Sequence, residues 1–149
     1  MFPELTAAFG LLAVCVIVHA LGLALALPWL TPRHTGQPLR RALRTIQVLI
    51  GVASWLLVLH LIEIAVWAAF YFWVRCLPDL ETSLYFSGVT YATVGFGDIV
   101  LPHGWRLLAP MEGLTGILMC GLSTGFFFVM VSRLSDRLAT SAAPIRGTK

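Results

Sequence analysis

The chain has 149 residues, 58% of them hydrophobic and only 11% charged, with a net charge of +3. A soluble domain carries roughly 25% charged residues, so this composition excludes one and points to a single compact unit embedded in a membrane. The basic residues flank apolar runs and form no patch for nucleic acid. Cys15, Cys76 and Cys120 fit neither a zinc pattern nor a disulfide framework.

The first apolar run, Leu5 to Leu30, holds one ionisable residue, His19. At about 1.5 Å per residue it can cross a hydrocarbon core of about 30 Å. Its start, Met1-Phe2-Pro3-Glu4, has no basic n-region and the run is too long for a cleaved leader, so it reads as a retained helix. His19 reads as a buried polar group paired with a neighbouring helix, with titration as the second reading. Cys15 and Cys120 read as packing residues. Thr31 to Arg44, with Pro32, Gly36 and Pro38, reads as a polar loop. Its arginines, Arg33, Arg40, Arg41 and Arg44, place it in the cytoplasm and suit lipid head groups. They lack the spacing of a voltage sensor.

Thr45 to Val74 is the second predicted span, with Trp67, Tyr71, Phe72 and Trp73 as an aromatic belt at its outer end. His60 and Glu63, three residues apart, share one face inside it. Ionisable groups at that depth are costly. Two readings stand: a structural interhelical bond, or a polar pair that supports a functional loop or senses pH. Cys76 lies just beyond the span, where a disulfide to another subunit is one option. Asp79 and Glu81 suit the positive end of the next helix, and Asp79 or Thr82 can cap it. Ser83 to Ala92 is too short to span and fits a half-membrane re-entrant helix buried in protein.

Thr93 to Asp98 reads T-V-G-F-G-D. A narrow ion pore must replace a cation's water shell, and backbone carbonyls can do so. Turning successive carbonyls to one side requires positive φ at alternate residues, which Gly95 and Gly97 permit. Thr93 adds a hydroxyl, Val94 and Phe96 can point away, and Asp98 places a negative charge at the outer end. Trp105 to Val131 is the third span, rich in small residues at Gly113, Gly116, Gly121 and Gly125 that permit close packing. Ile117, Cys120, Thr124 and Phe128 share one helical face, with Phe128 as a candidate constriction if that face lines a pore. Glu112, beside Pro110, lies at a depth from which it can meet Glu63 or His60. His19, His60 and the cysteines show no metal-ligand spacing. Eight of the ten Lys and Arg residues fall on one side of this layout, predicting an outside N-terminus and a cytoplasmic C-terminus. The last dozen residues read as a loose tail.

T-V-G-F-G-D, placed after a short helix and between two predicted spans, resembles the selectivity filter of the potassium-channel pore family, T-V-G-[YF]-G-D. The resemblance covers Thr45 to Leu134 and is specific around the filter. It implies an all-α membrane protein with three transmembrane helices, a re-entrant pore helix and a filter loop. Residues 1–44 would be an extra N-terminal span and basic loop, which the simplest two-helix members lack, 45–134 the pore domain and 135–149 a cytoplasmic tail. Thr93, Val94, Gly95, Phe96 and Gly97 would coordinate K⁺, with Asp98 at the outer mouth. Tyr85 and Phe86 would brace the filter where the family often has Trp. Val89 stands where some bacterial members carry a Glu that pairs with the filter Asp.

Gly116 falls at the family's hinge glycine, counting from Trp105-Arg106, and a hinge and close packing both fit. One filter per chain cannot close a carbonyl ring, so the resemblance implies four chains around one pore. The implied function is passive, selective K⁺ conduction by a homotetramer in the lipid of a cell membrane. It implies no catalytic residues, no cofactor beyond the permeant K⁺ and no nucleic acid. A nonselective cation channel and a non-conducting modulatory subunit are the alternatives. Phe96 and Gly97 argue against the first, and the intact filter against the second. No voltage-sensor array, nucleotide-binding domain or calcium loop points to a gating stimulus.

Overall fold

The computed structural model describes residues 2–30 and 38–142. Helix α1, Phe2–Ala26, ends in a 3₁₀ turn, Leu27–Leu30; α2 runs Pro38–Trp73, α3 Leu80–Tyr91 and α4 Leu108–Ala142, the last preceded by a 3₁₀ turn at His103–Trp105. No strand occurs among the described residues. Glu4–Trp29, Leu43–Trp73 and His103–Asp136 are each long and apolar enough to cross a membrane. The fold is therefore all-helical with three spanning-length helices. α3, at 12 residues or about 18 Å, is too short to be a fourth.

Two boundaries differ by more than three residues from the sequence expectation. The loop predicted through Arg44 gives way to helix at Pro38. A proline in the first helical position lacks only an N–H that the helix would not use, and leucine and arginine are strong helix formers. α4 continues to Ala142, so residues 135–142 of the predicted tail are helical. Residues 31–37, with Arg33, and 143–149, with Arg146 and Lys149, lie outside the described residues.

α2 stops through hydrogen bonding at a residue that carries no obvious stop signal. Arg75 has φ +54, its N–H bonds to the Phe72 carbonyl at 3.2 Å, and the Cys76 N–H bonds to the Tyr71 carbonyl at 3.0 Å. This is a Schellman cap with arginine where glycine is usual, and its cation sits at the negative end of the helix dipole. Asp79 then caps α3, accepting the Thr82 N–H at 2.8 Å and the Thr82 hydroxyl at 2.9 Å. These bonds, the backbone one first, hold the Asp79 carboxyl below its ordinary pKa.

α1, α2 and α4 pack on one another, and α3 packs between α2 and α4. The buried side chains form two apolar clusters. One gathers Cys15, Trp67, Tyr71, Phe86, Leu108 and Met119; the other gathers Val52, Leu56, Leu59 and Met130. Trp67 and Tyr71 are fully buried, so only Phe72 and Trp73 of the expected aromatic belt face outward. The larger rings fill the space between α2 and the short α3, where Tyr71 meets Phe86 edge-on at 5.3 Å. Cys76 is also buried, which removes the thiol from reach of another subunit and argues against the disulfide considered above.

Candidate functional site

The 93–98 loop is built out of the C-terminal cap of α3. The Thr93 N–H bonds to the Thr90 carbonyl at 2.9 Å, and the Val94 N–H bonds to the Val89 carbonyl at 2.9 Å. With Thr93 at φ +58, this is a second Schellman cap. It consumes the last carbonyls of the helix and turns the chain sharply. Positive φ then recurs at Gly95 (+56) and Gly97 (+77), with Val94 and Phe96 outside that region. Every second residue from 93 to 97 is thus left-handed. The two glycines were legible; Thr93 was not, because threonine pays a steric penalty of roughly 1–2 kcal/mol there and carries no sequence mark for it.

An alternation of hand turns consecutive peptide planes so that their carbonyls face one side. Among the described residues no hydrogen bond takes a carbonyl of 93–97, whereas the amides of 93–95 are bonded back to α3. The segment therefore offers unused oxygens and few free donors, which suits a cation. Val94 and Phe96 are 53% and 69% exposed in the single chain, so the loop lacks lateral cover. Tyr85 donates its hydroxyl to Asp98 Oδ2 at 2.7 Å, tying the middle of α3 to the far end of the loop. Val89 makes no such bond. Phe86 packs against Tyr71 of α2 and also lines a cleft of about 490 Å³ behind the loop, together with Thr93, Phe96, Arg106 and Gly113.

α4 closes against the base of the loop at Gly116. A Cβ there would overlap the backbone carbonyl of Tyr91, the last residue of α3. Of the two readings of this glycine, the geometry supports close packing. Ile117, Cys120, Thr124 and Phe128 all lie on an open face of α4, Phe128 being 70% exposed. The Thr124 hydroxyl bonds to the Cys120 carbonyl of its own helix at 2.8 Å.

Two acid-centred clusters join α3 to the long helices, and they are separate. Glu112, fully buried, is met by the Tyr71 hydroxyl at 2.7 Å and by Ser87 Oγ at 2.5 Å. Ser87 also reaches the Ile64 carbonyl at 2.9 Å. The expectation that Glu112 meets Glu63 or His60 is corrected, because its carboxyl is taken by Tyr71 of α2 and Ser87 of α3. Glu63, also fully buried, bonds His19 Nδ1 at 2.9 Å and the Tyr91 hydroxyl. His60 Nδ1 lies 3.0 Å from the Tyr91 hydroxyl, and Ser123 Oγ stands 3.2 Å from His19 Nε2 and 3.1 Å from His60 Nε2. These residues lie between the two apolar clusters and join all four helices.

His19, His60 and Glu63 bring side-chain nitrogen and oxygen atoms within 4.8 Å of one another, a grouping hidden in sequence by the separation of 44 positions from His19 to Glu63. Every imidazole nitrogen of this grouping already has a hydrogen-bond partner among the side chains around it. Sequence reasoning also missed Tyr71, Ser87, Tyr91 and Ser123. The available signal was a hydroxyl within an apolar run, which has to find a partner in a neighbouring helix.

A helical bundle with three apolar helices of spanning length, a short capped helix between two of them and buried interhelical polar bonds defines a multi-pass membrane protein. Residues 57–133, just over half of the chain, match a family model described as ion channel, and the chain belongs to that family. Comparison with curated proteins found no match, and comparison with solved structures found none.

Proposed function

We propose that the chain is one subunit of a K⁺-selective channel, in which four copies bring the carbonyls of Thr93 to Gly97 around a common axis. The observation that carries this reading is the left-handed backbone at residues 93, 95 and 97, joined to unused carbonyls along the same segment. A dehydrated cation needs oxygens from all sides, and one loop covers one side, so rotational assembly of identical chains supplies the rest. The open face of α4 at Ile117, Cys120, Thr124 and Phe128 would line the inner pathway, with the Phe128 ring as its narrow point. Asp98, held by Tyr85, would stand at the outer mouth. The 8:2 distribution of basic residues supports a cytoplasmic C-terminus in the cell membrane. Conduction is passive, so no catalytic residue is assigned and the only bound species are K⁺ and lipid.

The test is K⁺ against Na⁺ flux in liposomes holding the purified protein, with Gly95→Ala as the control. Selective K⁺ flux in the native chain, reduced at least tenfold by the substitution, supports the reading. Equal K⁺ and Na⁺ flux assigns a nonselective cation channel. A folded tetramer silent at every pH and voltage assigns a modulatory subunit.

A further inference from the structure

The cluster around Glu63 is a closed ring of five hydrogen-bond contacts. It runs from Glu63 to His19, from His19 to Ser123, from Ser123 to His60, from His60 to Tyr91 and from Tyr91 back to Glu63. Each contact needs one hydrogen. A carboxylate supplies none, and two neutral imidazoles and two hydroxyls supply four between them. The ring is therefore one hydrogen short in the protonation states that these groups have free in neutral water.

We propose that this ring, made by His19, His60, Glu63, Tyr91 and Ser123, is a proton-binding site that holds one extra proton per chain. The ligand is H⁺, and the count does not depend on which contact carries it. An imidazolium facing the Glu63 carboxylate satisfies it, and so does a protonated carboxyl facing two neutral imidazoles. Either form leaves the cluster with zero net charge, which a site between two apolar cores demands. Losing the proton leaves a buried negative charge and one contact in which two lone pairs face each other.

The other titratable groups near the ring do not supply the missing hydrogen. On α1 the Cys15 thiol lies near Glu63, and on α4 the Cys120 thiol does. From α4 Glu112 acts on Cys15, but its own bonds go to Tyr71 and Ser87. From α2 His60 Nδ1 stands 3.4 Å from Glu63 Oε2, a chord across the ring, and from α3 the facing titratable group is Tyr91 itself. The consequence is mechanical. Tyr91 is two residues before Thr93, so the proton ties α1 to the base of the 93–98 loop.

The sign of the linkage follows from counting. Above about pH 6.5 both imidazoles of the unfolded chain are neutral, and it holds one proton fewer than the ring. Folded stability then falls as pH rises. Below that value the unfolded chain holds one proton more than the ring, and stability falls as pH drops. Glu63→Gln isolates the effect, because an amide donates one hydrogen and accepts another. It closes the same five contacts with both imidazoles neutral.

The experiment is thermal unfolding of the full chain in detergent from about pH 5 to pH 8, native against Glu63→Gln. The folded-to-unfolded ratio of the native protein should fall relative to the variant by up to about tenfold per pH unit. Unfolding at pH 8 in weak buffer should release about one proton more per native chain, read with an indicator dye. Parallel profiles and equal proton release would overturn the site. Should the variant not fold, nitrogen and carbon NMR of the native protein at pH 8 decides alone. An imidazolium at His19 or His60, or a protonated Glu63 carboxyl, supports the ring; two neutral imidazoles with an ionised Glu63 overturn it, as does a stoichiometric metal ion in the purified protein. None of these readouts measures ion flux, so the proton site and the channel reading stand or fall separately.

Discussion

Asp98 carries its negative charge at the end of the loop because Tyr85 holds it there, and the buried acids are held by the same kind of bond. Glu112 tests how much of this is charge and how much is hydrogen bonding. Glu112→Gln keeps a donor for Ser87 and an acceptor for Tyr71, so its unfolding free energy in detergent should stay within about 1 kcal/mol of native. Glu112→Ala strands the buried Tyr71 hydroxyl, while Ser87 keeps its bond to the Ile64 carbonyl, and should cost about 1–3 kcal/mol for the group left unsatisfied. Equal costs for the two variants would mean that the hydrogen bonds the amide retains contribute nothing and that the site needs the carboxyl itself. At the surface, Asp79 contributes through its ionised form, since the bonds from Thr82 keep its carboxyl below the usual range. Its folded value is depressed, so that stability is present above about pH 4 and is lost as pH falls through the folded value. Asp79→Asn, which retains a cap but no charge, should therefore show a shallower acid limb in a pH-melting series, with the two profiles converging at the acid end.

At the scale of elements, the end of α3 and the first third of α4 form one joint. Gly116→Ala would press a methyl group into the Tyr91 carbonyl. Backbone cannot move aside as a side chain can, so overpacking of about 1–3 kcal/mol is expected, read as a lower melting temperature. Gly121→Ala, where a Cβ meets nothing in the chain, serves as the control. If Gly116 were a free hinge, the two substitutions would melt alike. The three long helices were legible because apolar run length is a one-dimensional signal, and the loop was legible through Gly95 and Gly97. The caps were not. Arg75 and Thr93 adopt left-handed φ because the carbonyls of the preceding turn need partners, and nothing in their side chains announces it. The acid-centred clusters were half legible: His60 and Glu63 share a helix face, but His19, Tyr91 and Ser123 reach them only through tertiary packing.

For the whole molecule, α1 is part of the same packed unit as the matched 57–133 segment. A chain lacking residues 1–37 would leave Glu63 without its His19 bond, and removing one partner of such a buried pair costs about 3–5 kcal/mol. Such a chain should therefore give little folded assembly by size-exclusion chromatography with native mass spectrometry. Recovery of as much folded protein from it as from the full chain would show that α1 is dispensable. The ring also imposes an order on synthesis. His19 and Ser123 are separated by 104 positions, and ribosomes add about 5–20 residues per second. Glu63 can meet the Nδ1 side of the His19 imidazole early, but the Nε2 side must wait roughly 5–20 s before Ser123 has been made. Insertion of α4 is the moment at which both nitrogens of that imidazole have partners, which makes the final helix the one that closes the ring.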